Sequence, residues 1–276
     1  MSNTSRETDS PRASDNTLLE HLEELRGRII RIFLTVLIIA ATTLVLGIRR
    51  IDIEGVWIYV PFPDPYNSVS AFVLTRISED VLPDSVELIQ TAPGQALMGV
   101  IYVGIFLGLV LGMPIILHQT ISFVAPGLYE NERKSIFRVL IPAVTLFFIG
   151  GIFSYISVVP FAIRFLYTFG IELGFVTFIT SVDLISFVLL FFLAFGITFQ
   201  TPVIMWLFTI VGIVDATYWR KNIRYAFVVM VFLGAALTPD GSGVTMWFVT
   251  LPMLGLYVAG YLIIRASSPA SQRITS

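Results

Sequence analysis

The chain has 276 residues, of which 56% are hydrophobic and 13% charged, and its mean hydropathy is +0.85. Soluble domains contain about 45–50% apolar and about 25% charged residues, so this composition excludes an ordinary soluble protein. It also excludes a disordered chain, which requires low hydrophobicity and high charge. The net charge of −2 says little about partners, because in a membrane protein the side on which each charge lies matters more than the sum.

The N-terminal segment, residues 1–17, is polar and mixed in charge and lacks the apolar core of a signal peptide. We expect it to form a disordered cytoplasmic tail. The next residues have the spacing of a capping box, Thr17-Leu18-Leu19-Glu20, which predicts that a helix starts there. Its apolar face is made of Leu18, Leu22, Leu25 and Ile29.

Six stretches of the sequence carry no charged residue and are long enough, or nearly so, to cross a bilayer. A bilayer core about 30 Å thick needs roughly 20 apolar helical residues. Backbone groups in hydrocarbon must be satisfied within the segment, which favours helices. We therefore predict an all-α polytopic membrane domain over residues 18–264, followed by a cytoplasmic tail at 265–276. Its six transmembrane helices are expected at about 29–48, 96–118, 137–163, 183–214, 222–237 and 244–264.

Two parts of this domain depart from simple spans. The long loop between the first two spans is predicted to be irregular at Pro61, Pro63 and Pro65, with a surface helix over residues 69–77. The fifth apolar stretch, 225–237, is only about 20 Å long as a helix, so local thinning of the bilayer is expected beside it.

The distribution of basic residues predicts the orientation. With six spans, both termini lie on one side, and that side carries 13 of the 17 Lys and Arg residues. The other four are Arg49, Arg50, Arg76 and Arg164. Basic loops stay in the cytoplasm, so we predict a cell-membrane protein with both termini cytoplasmic.

Few side chains in this sequence are suited to catalysis or metal binding. The chain has no cysteine, which excludes a disulfide framework and a thiolate metal site. His21 and His118 are too few for a histidine-rich site, and no GxxxxGK[ST] sequence supports ATP-driven pumping. We predict no enzymatic activity, no cofactor, no metal and no nucleic-acid partner.

Gln200 is a polar side chain inside the fourth predicted span, two residues before Pro202. Proline frees a backbone carbonyl and predicts a kink, and an amide in hydrocarbon has to face protein or water. Two interpretations stay open: Gln200 satisfies the broken helix, or it forms a polar position that receives a partner.

Three glycines, Gly104, Gly108 and Gly112, follow at four-residue spacing in the second span. Such a face allows close approach of another helix. We favour packing within the chain over a binding role.

Two acidic clusters flank the predicted cytoplasmic surface. Glu24 and Arg28 have the spacing of a surface ion pair, and Glu130 and Glu132 lie where the dipole of the third helix stabilises acids. A purely structural role is enough to explain each acidic cluster by itself. Together, two carboxylates on one rim can each bind a guanidinium bidentately, which lysine cannot reproduce, and would select a ligand with paired arginines.

Three stretches resemble the TatC family, the signal-peptide receptor of the twin-arginine protein translocase. HLEELRGR at 21–28 resembles the family's HLxELRxR motif, and SFVAPGLYENERK at 122–134 resembles FxxPGLYxxER. AFGITFQTP at 194–202 resembles AFGxxFExP, and LTPD at 237–240 adds a weaker match.

The resemblance implies a glove-like arrangement of six helices with a concave face open to the bilayer. It implies that Glu24 and Glu132 contact the twin-arginine motif of cargo signal peptides. The same rim is expected to include Arg26, Arg133 and Phe123; the alternative for the two arginines is that they only anchor the chain on its cytoplasmic side.

The resemblance also implies contact with single-span TatA/TatB-type partners, which we assign to Gln200 and Asp240, in a complex with several copies of this chain. Export of folded proteins would then use the proton motive force. Many members have glutamate where this chain has Gln200, and glutamine cannot take up a proton, so hydrogen bonding is the contact expected there.

Two alternative functions differ from this one. A secondary transporter for a small solute would need ionisable or unwound sites at mid-membrane, where this chain has only Gln200 and proline kinks. A scaffold that makes no contact with cargo is the third alternative.

Overall fold

The computed structural model describes residues 11–53, 56–83, 85–124, 136–210, 212–238 and 243–267. Within these ranges the chain is mainly α-helical. The helices are α1 (Pro11–Val45), α2 (Val69–Val81), α3 (Gln95–Val124), α4 (Ile136–Phe153), α5 (Val159–Glu172), α6 (Ser181–Thr198), α7 (Thr201–Ile210), α8 (Ala216–Lys221), α9 (Ile223–Leu237) and α10 (Val244–Ser267). The strands are β1 (Leu46–Ile53), β2 (Val56–Pro63), β3 (Glu87–Ile89) and β4 (Phe178–Thr180).

Five helical segments of the described chain are long and apolar enough to cross a membrane: Leu22–Val45, Gln95–Phe123, Val139–Glu172, Ser181–Ile210 and Val244–Ala266. The sixth apolar helix, α9, has 15 residues and is therefore only about 22 Å long. The predicted all-α polytopic membrane fold is confirmed.

Helix α1 begins earlier than the capping box predicted. It starts at Pro11 instead of Thr17, so residues 11–17 are helical and only the first ten residues of the expected tail lie outside the described chain. Helix thus extends over residues 11–17, and the disorder expected for the tail as a whole, residues 1–17, stays a prediction. Proline is favourable in the first turn because its missing N–H would have no partner there.

The loop after the first span contains a β-hairpin where we predicted irregular chain. Strands β1 and β2 are antiparallel, with Leu46 opposite Pro63. The N–H of Asp64 donates to Val45 O at 3.0 Å, so even-numbered residues of β2 point their N–H groups toward β1. Pro61 and Pro63 therefore face away from β1 and remove no ladder bond, which is why proline is tolerated on an edge strand.

The surface helix predicted after this hairpin is present as α2 and continues four residues further, to Val81. Its buried residues Ile77 and Val81 join the same core as α3 and α6. At that end of the bundle, β3 and β4 pair in parallel, with Glu87 opposite Phe178. This pairing joins the segment between α2 and α3 to the segment between α5 and α6.

Helices α1 and α3 pack in close antiparallel contact through two of the glycines noted in the sequence. A Cβ at Gly104 would lie 2.6 Å from Leu44 Cγ, and one at Gly108 would lie 2.6 Å from the carbonyl oxygen of Val36. A Cβ at Gly112 would have its nearest neighbour at 3.6 Å, an ordinary contact. The interpretation of this face as internal packing is confirmed.

Candidate functional site

Glu24 lies on α1 one turn before Arg28, and the two side chains form an ion pair. The Arg28 atoms Nη2 and Nε lie 2.5 and 3.0 Å from Glu24 Oε1. The Glu24 side chain is 39% exposed and that of Arg28 is 16% exposed. The ion pair predicted from the spacing is confirmed, and its carboxylate can still be reached from outside the helix.

Arg28 also ties α1 to the last turns of α3. Its Nη1 donates to Gln119 O at 3.3 Å and to Gln119 Oε1 at 3.2 Å, and its Nη2 donates to Ser122 O at 3.2 Å. The Ser122 carbonyl belongs to the last four of α3, which lack an intrahelical partner. A cation at this position also complements the negative end of the helix dipole. These contacts span 91 and 94 residues of sequence, so no local pattern indicated them.

The structure brings a second predicted site residue to the same end of the bundle. Phe123 is half-buried in the last turn of α3, directly after Ser122, whose carbonyl binds Arg28. Arg26 is exposed on α1. Glu24 and Phe123 thus lie at the end where α3 finishes and the segment with the second acidic motif starts.

Three predicted site residues lie outside the described residues: Glu132, Arg133 and Asp240. The roles assigned to them stay predictions. The described chain resumes after the second acidic motif at Ile136, where α4 begins.

Gln200 occupies the break between α6 and α7 and is only 6% exposed. Its Nε2 donates to Ala143 O at 3.1 Å and to Gly196 O at 3.3 Å. The backbone N–H of Gln200 binds Ile197 O at 2.9 Å, so the side chain satisfies the Gly196 carbonyl that a regular turn would have paired. These contacts match the interpretation that Gln200 satisfies the broken helix, and contact with a partner stays a prediction.

Replacing Gln200 by leucine is expected to lower the free energy of unfolding by about 1–3 kcal/mol, because two buried carbonyls lose a donor. Thermal unfolding of the detergent-solubilised protein measures the change. Gln90→Leu is the matched control, since Gln90 is exposed and donates only to Ala92 O. Equal losses of unfolding free energy in the two variants would show that the buried hydrogen bonds of Gln200 do not contribute more to stability than the exposed one of Gln90.

The chemistry available at Glu24 is ionic recognition by carboxylate and guanidinium groups. Within the described ranges, no three His, Asp or Glu side chains converge as a metal site would require. Fold and site together therefore define a polytopic helical membrane protein with a partly exposed carboxylate, Glu24, near the N-terminal end of its first span.

Comparison with known proteins identifies the family. A family model described as Sec-independent protein translocase protein (TatC) matches residues 20–252. The chain belongs to the TatC family, a transport component of Sec-independent protein translocation. This membership argues against the alternative of a small-solute transporter.

Individual relatives cover nearly the whole chain. Sec-independent protein translocase protein TatC of Cenarchaeum symbiosum is 43% identical over 241 residues, which is 87% of this chain and 91% of the relative. The protein of the same name from Carboxydothermus hydrogenoformans is 34% identical over 254 residues, 92% of this chain and 94% of the relative. The crystal structure of a twin-arginine translocase receptor, TatC, superposes with a TM-score of 0.73 at 26% identity, covering 89% of this chain and 98% of that one.

Proposed function

We propose that this chain is the receptor and core subunit of a twin-arginine translocase, and that Glu24 and Glu132 bind the paired arginines of a cargo signal peptide. The observation that carries this proposal is the position of Glu24, a partly exposed carboxylate beside the end of α3. The segment with Glu132 follows α3 directly in the sequence. A carboxylate binds guanidinium through two parallel hydrogen bonds, so two acids match two arginines.

Arg28 makes exchange of partners at Glu24 feasible. It has three further acceptors on α3, namely Gln119 O, Gln119 Oε1 and Ser122 O. An incoming arginine can therefore take over Glu24 Oε1 while Arg28 keeps its bonds to α3. Neither the carboxylate nor Arg28 is then left as a half-buried charge without a partner, which would be costly.

The cargo site would face the cytoplasm of a cell with the chain in its cytoplasmic membrane. The excess of basic residues on the side of both termini supports this orientation. Assembly with TatA/TatB-type single-span partners would involve Gln200 and Asp240 and use the proton motive force. Because the Gln200 amide binds Ala143 O, contact with a partner there requires α4 and α6 to separate locally.

Photo-crosslinking tests the receptor assignment. A photoreactive residue at exposed position Glu23 is expected to crosslink a twin-arginine signal peptide. The same residue at Leu88, which is 42% exposed in β3 at the other end of the bundle, serves as the control. Equal crosslinking at both positions, or none at Glu23, would count against the assignment.

A signal peptide with Lys-Lys in place of Arg-Arg is expected to bind about tenfold more weakly, although its net charge is unchanged. The reason is that an ammonium group cannot form the planar two-bond contact with a carboxylate. Titration of a fluorescent peptide with the purified chain in lipid nanodiscs measures the affinity, and an Arg-Arg peptide with an altered neighbouring polar residue serves as the control. Equal affinities for the two pairs would remove the bidentate geometry from the proposal.

A further inference from the structure

A groove of about 510 Å³ opens on the exposed face of α5, next to a π-helical turn at Ser154–Val158. Three phenylalanine rings line it at four-residue spacing. The ring centroids of Phe161 and Phe165 are 6.0 Å apart, and those of Phe165 and Phe169 are 5.2 Å apart. Phe161 also stacks on Phe248 of α10 at 3.9 Å. Because Phe169 is 62% exposed, this phenylalanine ladder is not part of the core.

Arg164 lines the groove between the rings and is exposed. No carboxylate of the described residues forms an ion pair with it. Ser157 also lines the groove, and its hydroxyl has no hydrogen-bond partner in the described part of the chain. The hydroxyl of Thr168, by contrast, donates to Arg164 O at 2.7 Å. The groove therefore combines an apolar wall with a guanidinium and a hydroxyl that have no partner within it.

The length of the uncharged stretch before Arg164 places this residue near the depth of lipid headgroups. The preceding stretch, 139–163, has no charged residue and is about 37 Å long as a helix. The hydrocarbon core of a bilayer is about 30 Å thick, and about 40–45 Å with its headgroup regions. The Arg164 guanidinium is therefore expected at the level of the lipid phosphates. It lies at the opposite end of the helix bundle from Arg28.

We propose that this groove binds one phospholipid, with its phosphate on Arg164 and an acyl chain along Phe161 and Ile156, which line the groove on the membrane side of Arg164. The planar guanidinium matches phosphate oxygens bidentately, and Ser157 can donate a further hydrogen bond. An arginine at this depth can pair with the phosphate of a lipid headgroup. The phospholipid supplies the anion and the apolar chain in one molecule.

The chemistry of the groove favours a lipid over a helix from a partner protein, because a phospholipid combines a phosphate for Arg164 with an acyl chain for the apolar wall. Sites that enclose a small ligand have volumes of about 300–1,000 Å³. The volume of the groove lies in that range.

Lipid retention by the purified full-length chain tests the proposal. Delipidated protein is incubated with dioleoylphosphatidylglycerol, and bound lipid is counted by native mass spectrometry. R164Q is expected to retain about fivefold less lipid than the unaltered chain, because the charge-assisted bonds to phosphate are lost. The matched control is R76Q, since Arg76 is an exposed cation on α2 that pairs with Glu79 and lies outside the groove.

Two further arms identify the ligand chemistry. Dioleoylglycerol, which has the acyl chains but no phosphate, is expected to bind about fivefold more weakly than the phospholipid. Millimolar inorganic phosphate is expected to leave the phospholipid bound. Displacement by inorganic phosphate would assign the groove to a free anion and overturn the lipid proposal.

Unchanged retention in R164Q, or equal losses in R164Q and R76Q, would also overturn it. A variant that keeps its lipid but loses a co-purifying single-span protein would assign the groove to a partner helix instead. If R164Q does not fold, as judged by thermal unfolding, I156A replaces it, because Ile156 lines the groove on the membrane side of Arg164 and is 67% exposed. Unchanged lipid retention in I156A would then reject the proposed acyl-chain contact.

Discussion

Glu24→Ala is expected to reduce export of a twin-arginine precursor by about tenfold, while the amount of the chain in the membrane stays unchanged. A hydrogen bond to a charged group contributes about 1.5–3 kcal/mol, and about 1.4 kcal/mol corresponds to a tenfold change in affinity. Stability is spared because Arg28 keeps its acceptors on Gln119 and Ser122. Transport of a reporter precursor into membrane vesicles, normalised to the amount of chain on an immunoblot, gives the measurement.

The adjacent acid provides the control for this experiment. Glu23 is exposed on the same helix, so Glu23→Ala removes the same charge from the same surface without removing the proposed contact. We expect Glu23→Ala to export normally and the double variant of Glu24 and Glu132 to be at least as impaired as Glu24→Ala. Normal export by the double variant would defeat the receptor proposal.

Gly108→Ala is expected to destabilise the protein by about 1–3 kcal/mol, the usual effect of forcing an extra carbon into a close-packed contact. The added Cβ would lie 2.6 Å from the carbonyl oxygen of Val36, a backbone atom that can move away only if α1 moves. For a protein of this size that loss corresponds to a fall in Tm of several degrees, at about 2–4 °C per kcal/mol. Thermal unfolding of the detergent-solubilised protein measures it.

Gly112→Ala is the matched control on the same face of α3. Its Cβ would have its nearest neighbour at 3.6 Å, so there is room for it. Because alanine favours a helix over glycine by about 1 kcal/mol, this variant should be neutral or slightly more stable. Equal changes in Tm for the two variants would show that close approach at Gly108 does not hold α1 against α3.

The Gly108 experiment also bears on the cargo site. A shift of α1 along α3 would change the distances from Arg28 to Gln119 and Ser122, three turns further toward the end of α3. Gly108→Ala should therefore weaken binding of a twin-arginine peptide as well as stability. Gly112→Ala should leave both unchanged.

Part of the fold was accessible from local patterns. The spans follow from hydropathy alone, because water-free surroundings require long uncharged helices. The Glu24–Arg28 ion pair was predictable because the two residues are one helical turn apart. The helix break near Gln200 was predictable because Pro202 has no backbone N–H. The β-hairpin could have been found too, since the segment around Trp57 is rich in β-branched and aromatic residues and its prolines occupy alternate positions.

What the sequence by itself determined was the class of protein, the helices and the family motifs, since each depends on residues close together in the chain. Only the tertiary structure decided which groups meet across helices: Arg28 with Gln119, the Gln200 amide with the backbone carbonyl of Ala143, and Phe161 with Phe248. These partners lie 91, 57 and 87 residues apart in the numbering. Whether two such groups meet depends on the depth and rotation at which their helices pack. Close contacts such as the one at Gly108 set that depth and rotation, and no periodic pattern in the sequence predicts them.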